Sequence, residues 1–250
     1  MKQKLHSAMN IGEELLVSGA EIHRVEDSVN RILIALGASR VDTFIITSSM
    51  VVTVYTSDGE VYTETRRITD AGTDFEKIHK LNALSRQICS GDVTAEEINN
   101  RLDEIKATRV YPFSMEFFCY ALIAGAFTLF FGGSFAQSLV SLVIGGLVRL
   151  LLLASDKTVK NKIFGKFLAS FFATALAYLS VRLSLVGSVD EIIIGNIMTL
   201  IPGIGLTSAL RDIFTGDSIT GILRSLEAFL LAIAIAAGYF VFVALGGILI

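Results

Sequence analysis

Cysteine is scarce in this chain: Cys89 and Cys119 are the two among 250 residues. One lies in a charged stretch and the other in an apolar run, which excludes a disulfide framework and a structural zinc site. Histidine is nearly as rare. His6, His23 and His79 do not fall at ligand spacing, so no metal motif is read. No Gly-x-Ser-x-Gly, phosphate-binding loop or His-Glu-x-x-His occurs. Basic charge is not in excess either. A net charge of −3 gives no general attraction to nucleic acid. The opening MKQKLHSAMN lacks the apolar core and cleavage site of a signal peptide, so the N-terminal part is expected to stay in the cytoplasm. No cofactor is expected.

What is present is divided in two. Hydrophobic residues make up 52% of the chain and mean hydropathy is +0.63, too apolar for an ordinary soluble domain. Of the 45 charged residues, 30 precede Val110, and the last 140 residues hold 15. Water is the expected solvent for the first part and lipid for the second. The boundary falls at Pro112, one of only two prolines. It divides a soluble domain, residues 1–110, from a membrane domain, residues 111–250.

In the first part the apolar period is helical through Leu5, Met9, Gly12, Leu15, Leu16 and Gly19. It is helical again through Ile22, Val25, Val29, Ile32, Leu33 and Leu36, where Gly37 stops it. Then the period falls to two, through Val41, Thr43 and Ile45, through Val51, Thr53 and Tyr55, and through Val61, Thr63 and Thr65. Asp58-Gly59 between the last two runs predicts a two-residue hairpin. A third helix is expected from about Thr73, with Phe75, Ile78, Leu81, Leu84 and Ile88 as its stripe and Gly91 as its stop. A fourth starts at a capping box of Thr94 and Glu97. The order ααβββαα is enough for a small α+β domain.

Beyond Pro112, five apolar runs come near the ~20 residues that cross a bilayer: about 113–131, 135–154, 164–186, 192–210 and 219–249. The last is long enough to begin with an interfacial turn. The fourth is interrupted by Pro202-Gly203. Lys157, Lys160 and Lys162 lie between spans two and three, and Arg211 and Arg224 around the joint of spans four and five. The positive-inside rule puts those loops in the cytoplasm, with the N-terminus inside and the C-terminus outside. Ser134, Ser138 and Ser141 with Gly145, and Ala234 with Gly238, are small-residue spacings that suggest close helix packing.

Ionisable groups inside a membrane are costly and need a reason. Lys166 and Arg182 lie near span ends, where their heads can reach the headgroups. Arg149 either does the same or holds a substrate carboxylate. Glu116 sits at the interface, accepts a proton, or pairs with Arg149. In the fourth span, Pro202 removes a backbone donor and Gly203 permits unusual dihedrals. Asn196, Thr199, Thr207 and Ser208 surround that break with polar groups. Broken transporter helices use such groups to hold substrates, although a structural kink explains the proline as well. Asp212 and Asp217 flank a turn at Gly216 and could attract a proton or cation. Asp217 could equally be a helix N-cap. Glu21, Arg24, Asp27 and Arg31 share one helical face, an arrangement that is often merely solvated.

Two stretches carry a resemblance. Ser18-Gly-Ala-Glu-Ile-His-Arg-Val-Glu-Asp27 resembles the N-terminal signature of the threonine/serine exporter family. Ile201-Pro-Gly-Ile-Gly-Leu-Thr-Ser-Ala-Leu-Arg-Asp-Ile-Phe-Thr-Gly-Asp217 resembles its membrane signature. The first signature maps onto Gly19, Glu21, Arg24, Glu26 and Asp27, and the second onto Pro202, Gly203, Asp212, Gly216 and Asp217. The resemblance implies an α-helical membrane protein that exports threonine- or serine-type amino acids or succinate-type dicarboxylates, driven by the proton gradient, in the cell inner membrane. It implies the larger subunit of a two-component form, whose partner is a smaller membrane subunit supplying the second half. Substrate would meet Asn196, Thr199, Pro202, Gly203, Thr207, Ser208 and Arg149, and the proton Glu116, Asp212 or Asp217. The rival readings are a membrane-tethered hydrolase acting through the N-terminal domain and a non-transporting sensor or scaffold. No nucleophile–base pair supports the hydrolase.

Overall fold

The computed structural model describes residues 1–69, 72–94, 97–108, 111–158 and 161–249. Lys160 of the basic loop and Val110 at the boundary lie outside the described residues. The chain forms two compact units. One is Met1–Val110 with Thr207–Ser225, and the other is Tyr111–Leu206 with Leu226–Ile250.

The first unit begins α1 (Lys2–Val17), α2 (Ile22–Ala35), β1 (Arg40–Ile46), β2 (Ser49–Tyr55), β3 (Val61–Arg67), α3 (Phe75–Ser90) and α4 (Glu97–Ala107). This is the order that the changing hydrophobic period predicts. The three strands form one antiparallel sheet in sequence order, with Phe44 opposite Val51 and Val52 opposite Glu64. Met50, Val52 and Val54 of β2 point into a core shared with Leu15 of α1, Val29 and Ile32 of α2, Leu81 of α3 and Ile98 of α4. Burying each such side chain contributes roughly 1.5–3 kcal/mol. Gly12 lets α1 approach, because a Cβ there would lie 2.6 Å from Met50 and 2.8 Å from Val29.

Three local expectations are corrected. The β2–β3 hairpin closes at Thr56 and Glu60, so its loop has three residues and not two. Gly59 takes the left-handed position (φ 88°) that ends such a loop. Phe75, expected in the stripe of α3, is 62% exposed. It is the first residue of the helix, after the N-cap Asp74, where the buried face has not yet begun. At α4 one half of the capping box forms: Glu97 accepts from the Thr94 amide at 3.1 Å. The Thr94 hydroxyl donates to the same carboxylate instead of accepting from the helix.

The second unit contains α5 (Phe113–Phe130), α6 (Phe135–Thr158), α7 (Lys162–Arg182), α8 (Asp190–Met198), the start of α9 (Gly203–Phe214) and most of α10 (Ser218–Leu249). Beside a core of Ile144, Val148, Ile192 and Leu200, small residues fill much of its interior, and large apolar ones cover its exterior. Ala124, Ser141, Ala169, Ser170, Ala173 and Thr174 are buried, while Phe118, Leu122, Phe130, Val143, Phe229, Ile233 and Phe240 are exposed. Such an inversion is unfavourable in water and natural in lipid, where small residues let helices approach. The small-residue spacings act in that way. A Cβ on Gly145 would lie 2.7 Å from Ala124 of α5, and one on Gly238 of α10 would meet the α7 backbone at Phe171, 3.0 Å away.

Among the described residues α5, α6, α7 and α10 are each long and apolar enough to cross a bilayer. The fourth expected span, read as interrupted at Pro202-Gly203, is the pair α8 and α9, bent by 54° at a break, so the count is four, or five when the bent pair is taken as one span. At the other joint α10 is continuous from Ser218. Its 32 residues exceed one crossing, and its first turns, through Ser225, belong to the first unit.

Candidate functional site

The N-terminal signature is a helix–helix joint. Gly19 follows the C-cap of α1 at φ 88°. Its amide bonds Leu16 O and the next amide bonds Leu15 O, both at 2.9 Å. This double bond at a left-handed glycine satisfies the last carbonyls of α1. Any side chain at Gly19 would also strike Gly72 O, 2.7 Å from a Cβ. The chain leaves extended, so that Glu21 becomes the N-cap residue of α2. Its carboxylate does not cap that helix.

The membrane signature ends in the same device. Gly216 (φ 103°) bonds Ile213 O, and Asp217 bonds Asp212 O, closing α9. Asp217 O then accepts from Gly221 at 2.9 Å, placing Asp217 at the N-cap position of α10. A Cβ at Gly221 would lie 2.7 Å from Ala209 O, so α9 and α10 cross closely.

Within the first unit these two joints meet. Arg211 donates to the Glu21 carboxylate. Arg224 donates to Asp212 Oδ2 at 2.7 Å and to the Ala20 carbonyl at 3.1 Å. Asp212 is fully buried, and its Oδ1 has no hydrogen-bond partner among the described residues. Glu21 also faces Arg24 at 3.6 Å. Glu26 accepts from the Ile45 amide at 3.0 Å. Burial pushes its carboxyl above the usual range and the charge of Asp217 adds to that rise, against the Ile45 hydrogen bond and His23. Asp27 pairs with Arg31 at 2.9 Å on the outer face. Ser208 lines a small cavity with Gly19, Glu21 and Arg24.

In the second unit Arg149 of α6 donates twice to one oxygen of Glu116 of α5, and its guanidinium lies 5.4 Å from the Tyr120 ring centroid. Of the readings open for Glu116, this is the geometry of a partner for Arg149. Asn196 of α8 is fully buried. It donates to Ser141 Oγ at 3.2 Å and to Ile192 O at 2.9 Å, and Thr128 donates to the same Ser141 at 2.6 Å. Asn196 Oδ1 has no partner among the described residues. Thr199 turns back to Asn196 O at 2.7 Å. The surface at the break is open. Ile201, Ile204 and Leu206 are exposed, and a Cβ at Gly203 would meet nothing within 4 Å. Asn196 and Thr199 therefore lie together against α5 and α6. Thr207 and Ser208 belong to the other unit.

Sequence reasoning treats Arg224 only as an orienting charge, yet it joins both signatures. It also reads Ser134 only as a small packing residue and passes over Gln137, and the two form a reciprocal capping box at α6, with 2.6 Å and 3.3 Å bonds. The Gln137 amide nitrogen reaches Ser188 and Glu191 as well.

Comparison with known proteins decides the class. The threonine/serine exporter family model, ThrE, matches residues 6–246. This chain belongs to the threonine/serine exporter family. A threonine/serine exporter of Corynebacterium glutamicum is 26% identical over 171 residues, covering 66% of this chain and 35% of that protein. The probable succinate transporter subunit YjjP of Klebsiella aerogenes is 26% identical over 228 residues, covering 90% of this chain and 86% of that one. A probable threonine/serine exporter of Mycobacterium tuberculosis is 25% identical over 199 residues, covering 77% and 36%. The chain thus spans about a third of the two exporters and most of the succinate transporter subunit. All three are named as transporters or exporters and none as an enzyme. No solved structure matches. The chain is a multi-pass membrane protein of a transporter family.

Proposed function

We propose that this chain is the larger subunit of a secondary transporter that exports a small polar metabolite, an amino acid of threonine/serine type or a succinate-type dicarboxylate, driven by the proton gradient. The observation that carries the reading is the junction of Glu21 and Ala20 with Arg211, Asp212 and Arg224, which ties the N-terminal signature to the turn following the broken span. Alternating access needs an element with two arrangements, and the broken span is that element. The exposed Arg211–Glu21 pair opens at a cost of about 0–1 kcal/mol. The buried Asp212–Arg224 pair does not open so easily while Asp212 is charged. Protonating Asp212 removes that charge and releases Arg224, so a proton arriving there biases the turn. Asp217 and Glu116 are the other proton-carrying candidates.

Asn196, Thr199 and the backbone opened at Pro202 and Gly203 contact substrate from the second unit, Thr207 and Ser208 are the polar candidates of the first, and Arg149 holds a carboxylate once Glu116 is neutralised. The exposed apolar surface at the break faces a smaller membrane subunit that supplies an inverted second half. The N-terminus lies in the cytoplasm. What supports this reading is family membership together with the alignment over most of a protein named as a subunit.

The test is efflux from cells lacking their own exporters and expressing this chain with the partner. Threonine, serine and succinate are measured with and without a protonophore. Export that needs both chains, stops with the protonophore and is lost on Asp212→Asn is expected. Export indifferent to the protonophore and to that substitution contradicts the coupling scheme.

A further inference from the structure

A cavity of about 160 Å³ lies within the first unit beside the junction. Leu15, Ile78 and Phe75 give it apolar walls. The polar residues among its lining are Glu21, Arg24, Asn82 and Ser208. A liquid water takes about 30 Å³, so the space suits a molecule of roughly five to eight non-hydrogen atoms.

The charges define the occupant further. The cavity offers one carboxylate and one guanidinium, and they are 3.6 Å apart, loosely paired. Glu21 is the N-cap residue of α2 and makes no side-chain cap, and the first amide of that helix, Ile22, faces Asp212, which leaves Arg24 as the cationic residue of the cavity lining. Glu21 itself is held in place by Arg211. A ligand with a carboxylate and an ammonium a few ångströms apart replaces the loose pair with two matched ones. A dicarboxylate brings a second anion against Glu21 and finds no second cation among the lining side chains. Asn82 and Ser208 remain for a short hydroxyl-bearing side chain.

We propose that this cavity binds a free α-amino acid zwitterion with a small polar side chain. Arg24 takes its carboxylate, and Glu21 takes its ammonium. The choice of a transported metabolite as ligand rests on the export reading; the cavity and its charges do not. Because Glu21 also holds Arg211, occupancy bears directly on the turn after the broken span. The cavity is thus placed to report cytoplasmic amino acid to the transport element.

The test uses the purified full-length chain in lipid nanodiscs and equilibrium dialysis of L-threonine, L-serine and succinate. Saturable binding of one L-threonine per chain is expected, with succinate at least about ten-fold weaker. Glu21→Gln and Arg24→Gln should each weaken L-threonine by about ten-fold or more, the loss of one charge-assisted hydrogen bond. A second readout does not depend on the charge variants folding. With Cys89→Ser and Cys119→Ser as background, Phe75→Cys in the apolar wall is labelled by a maleimide, and saturating L-threonine should slow that labelling at least five-fold. Absence of L-threonine binding, binding that survives both charge substitutions, or unprotected Phe75→Cys overturns the proposal. Export measured in parallel separates the two readings: export without this binding leaves the transporter standing and removes the site, and binding without export does the reverse.

Discussion

Replacing Arg224 by leucine should be among the most damaging single changes outside the apolar cores. Arg224 is 15% exposed at its side chain and Asp212 is 0% exposed, and 2.7 Å separates their charged atoms. The other Asp212 oxygen is already without a hydrogen bond among the described residues. Arg224→Leu therefore leaves a buried carboxylate without its cation, which costs about 3–5 kcal/mol, and strips a donor from the Ala20 carbonyl at about 1 kcal/mol more. Asp212→Asn should cost less, about 1.5–3 kcal/mol, because the amide oxygen still accepts from Arg224. The double change Arg224→Leu, Asp212→Leu should recover most of the loss, since apolar replacements of a buried pair are often near neutral. For a chain of this size about 2–4 °C accompanies each kcal/mol, so Arg224→Leu should lower the melting temperature by ~8–24 °C. Helical circular dichroism in nanodiscs reads this out. A melting temperature within ~2 °C of the parent, or single changes that simply add, would refute the reasoning.

Other changes test other joints. Gly19→Ala forces a left-handed residue with a Cβ against Gly72 O and should cost about 2 kcal/mol or more, read as lost melting temperature and lost export. Gly195→Ala places a methyl 2.8 Å from Ala124 O and against the Thr128 hydroxyl; overpacking of about 1–3 kcal/mol should follow, with less folded protein recovered from membranes. Burial chiefly, with help from Asp217, raises the Glu26 carboxyl. Between the ordinary carboxylate range and that raised value the folded chain holds a proton that the unfolded chain has lost, so this group's contribution falls as pH climbs through that window. Glu26→Gln keeps an acceptor for the Ile45 amide and should flatten that part of the pH–melting profile while raising stability above it. Parallel profiles for parent and variant would count against this.

The elements of the first unit were readable because hydrophobic period is local: 3.6-residue stripes end at Gly37 and Gly91, and two-residue alternation lies between them. The turn at Asp58-Gly59 was readable as a turn, but its length depended on where Thr56 and Glu60 pair. Pro202 announced the break, while the bend and the return of Thr207–Ser225 to the first unit had no local signal. The same holds for Arg224. Its bond to Ala20 spans 204 residues, and no spacing rule reaches that far. The two signatures could be recognised separately, but only the folded chain brings Glu21 to Arg211. The capping box of Ser134 and Gln137 is a different case: its spacing was present, and a reading of that loop for charge and small residues overlooks it.

Efflux from sealed proteoliposomes, loaded with radiolabelled L-threonine, L-serine or succinate and holding this chain with or without the smaller subunit, is the most direct measurement. Rapid loss of one of these metabolites under an imposed proton gradient is expected when both chains are present, with neither chain sufficient alone. Equal leakage from empty, single-chain and two-chain vesicles, at verified protein insertion, would contradict a role in transport.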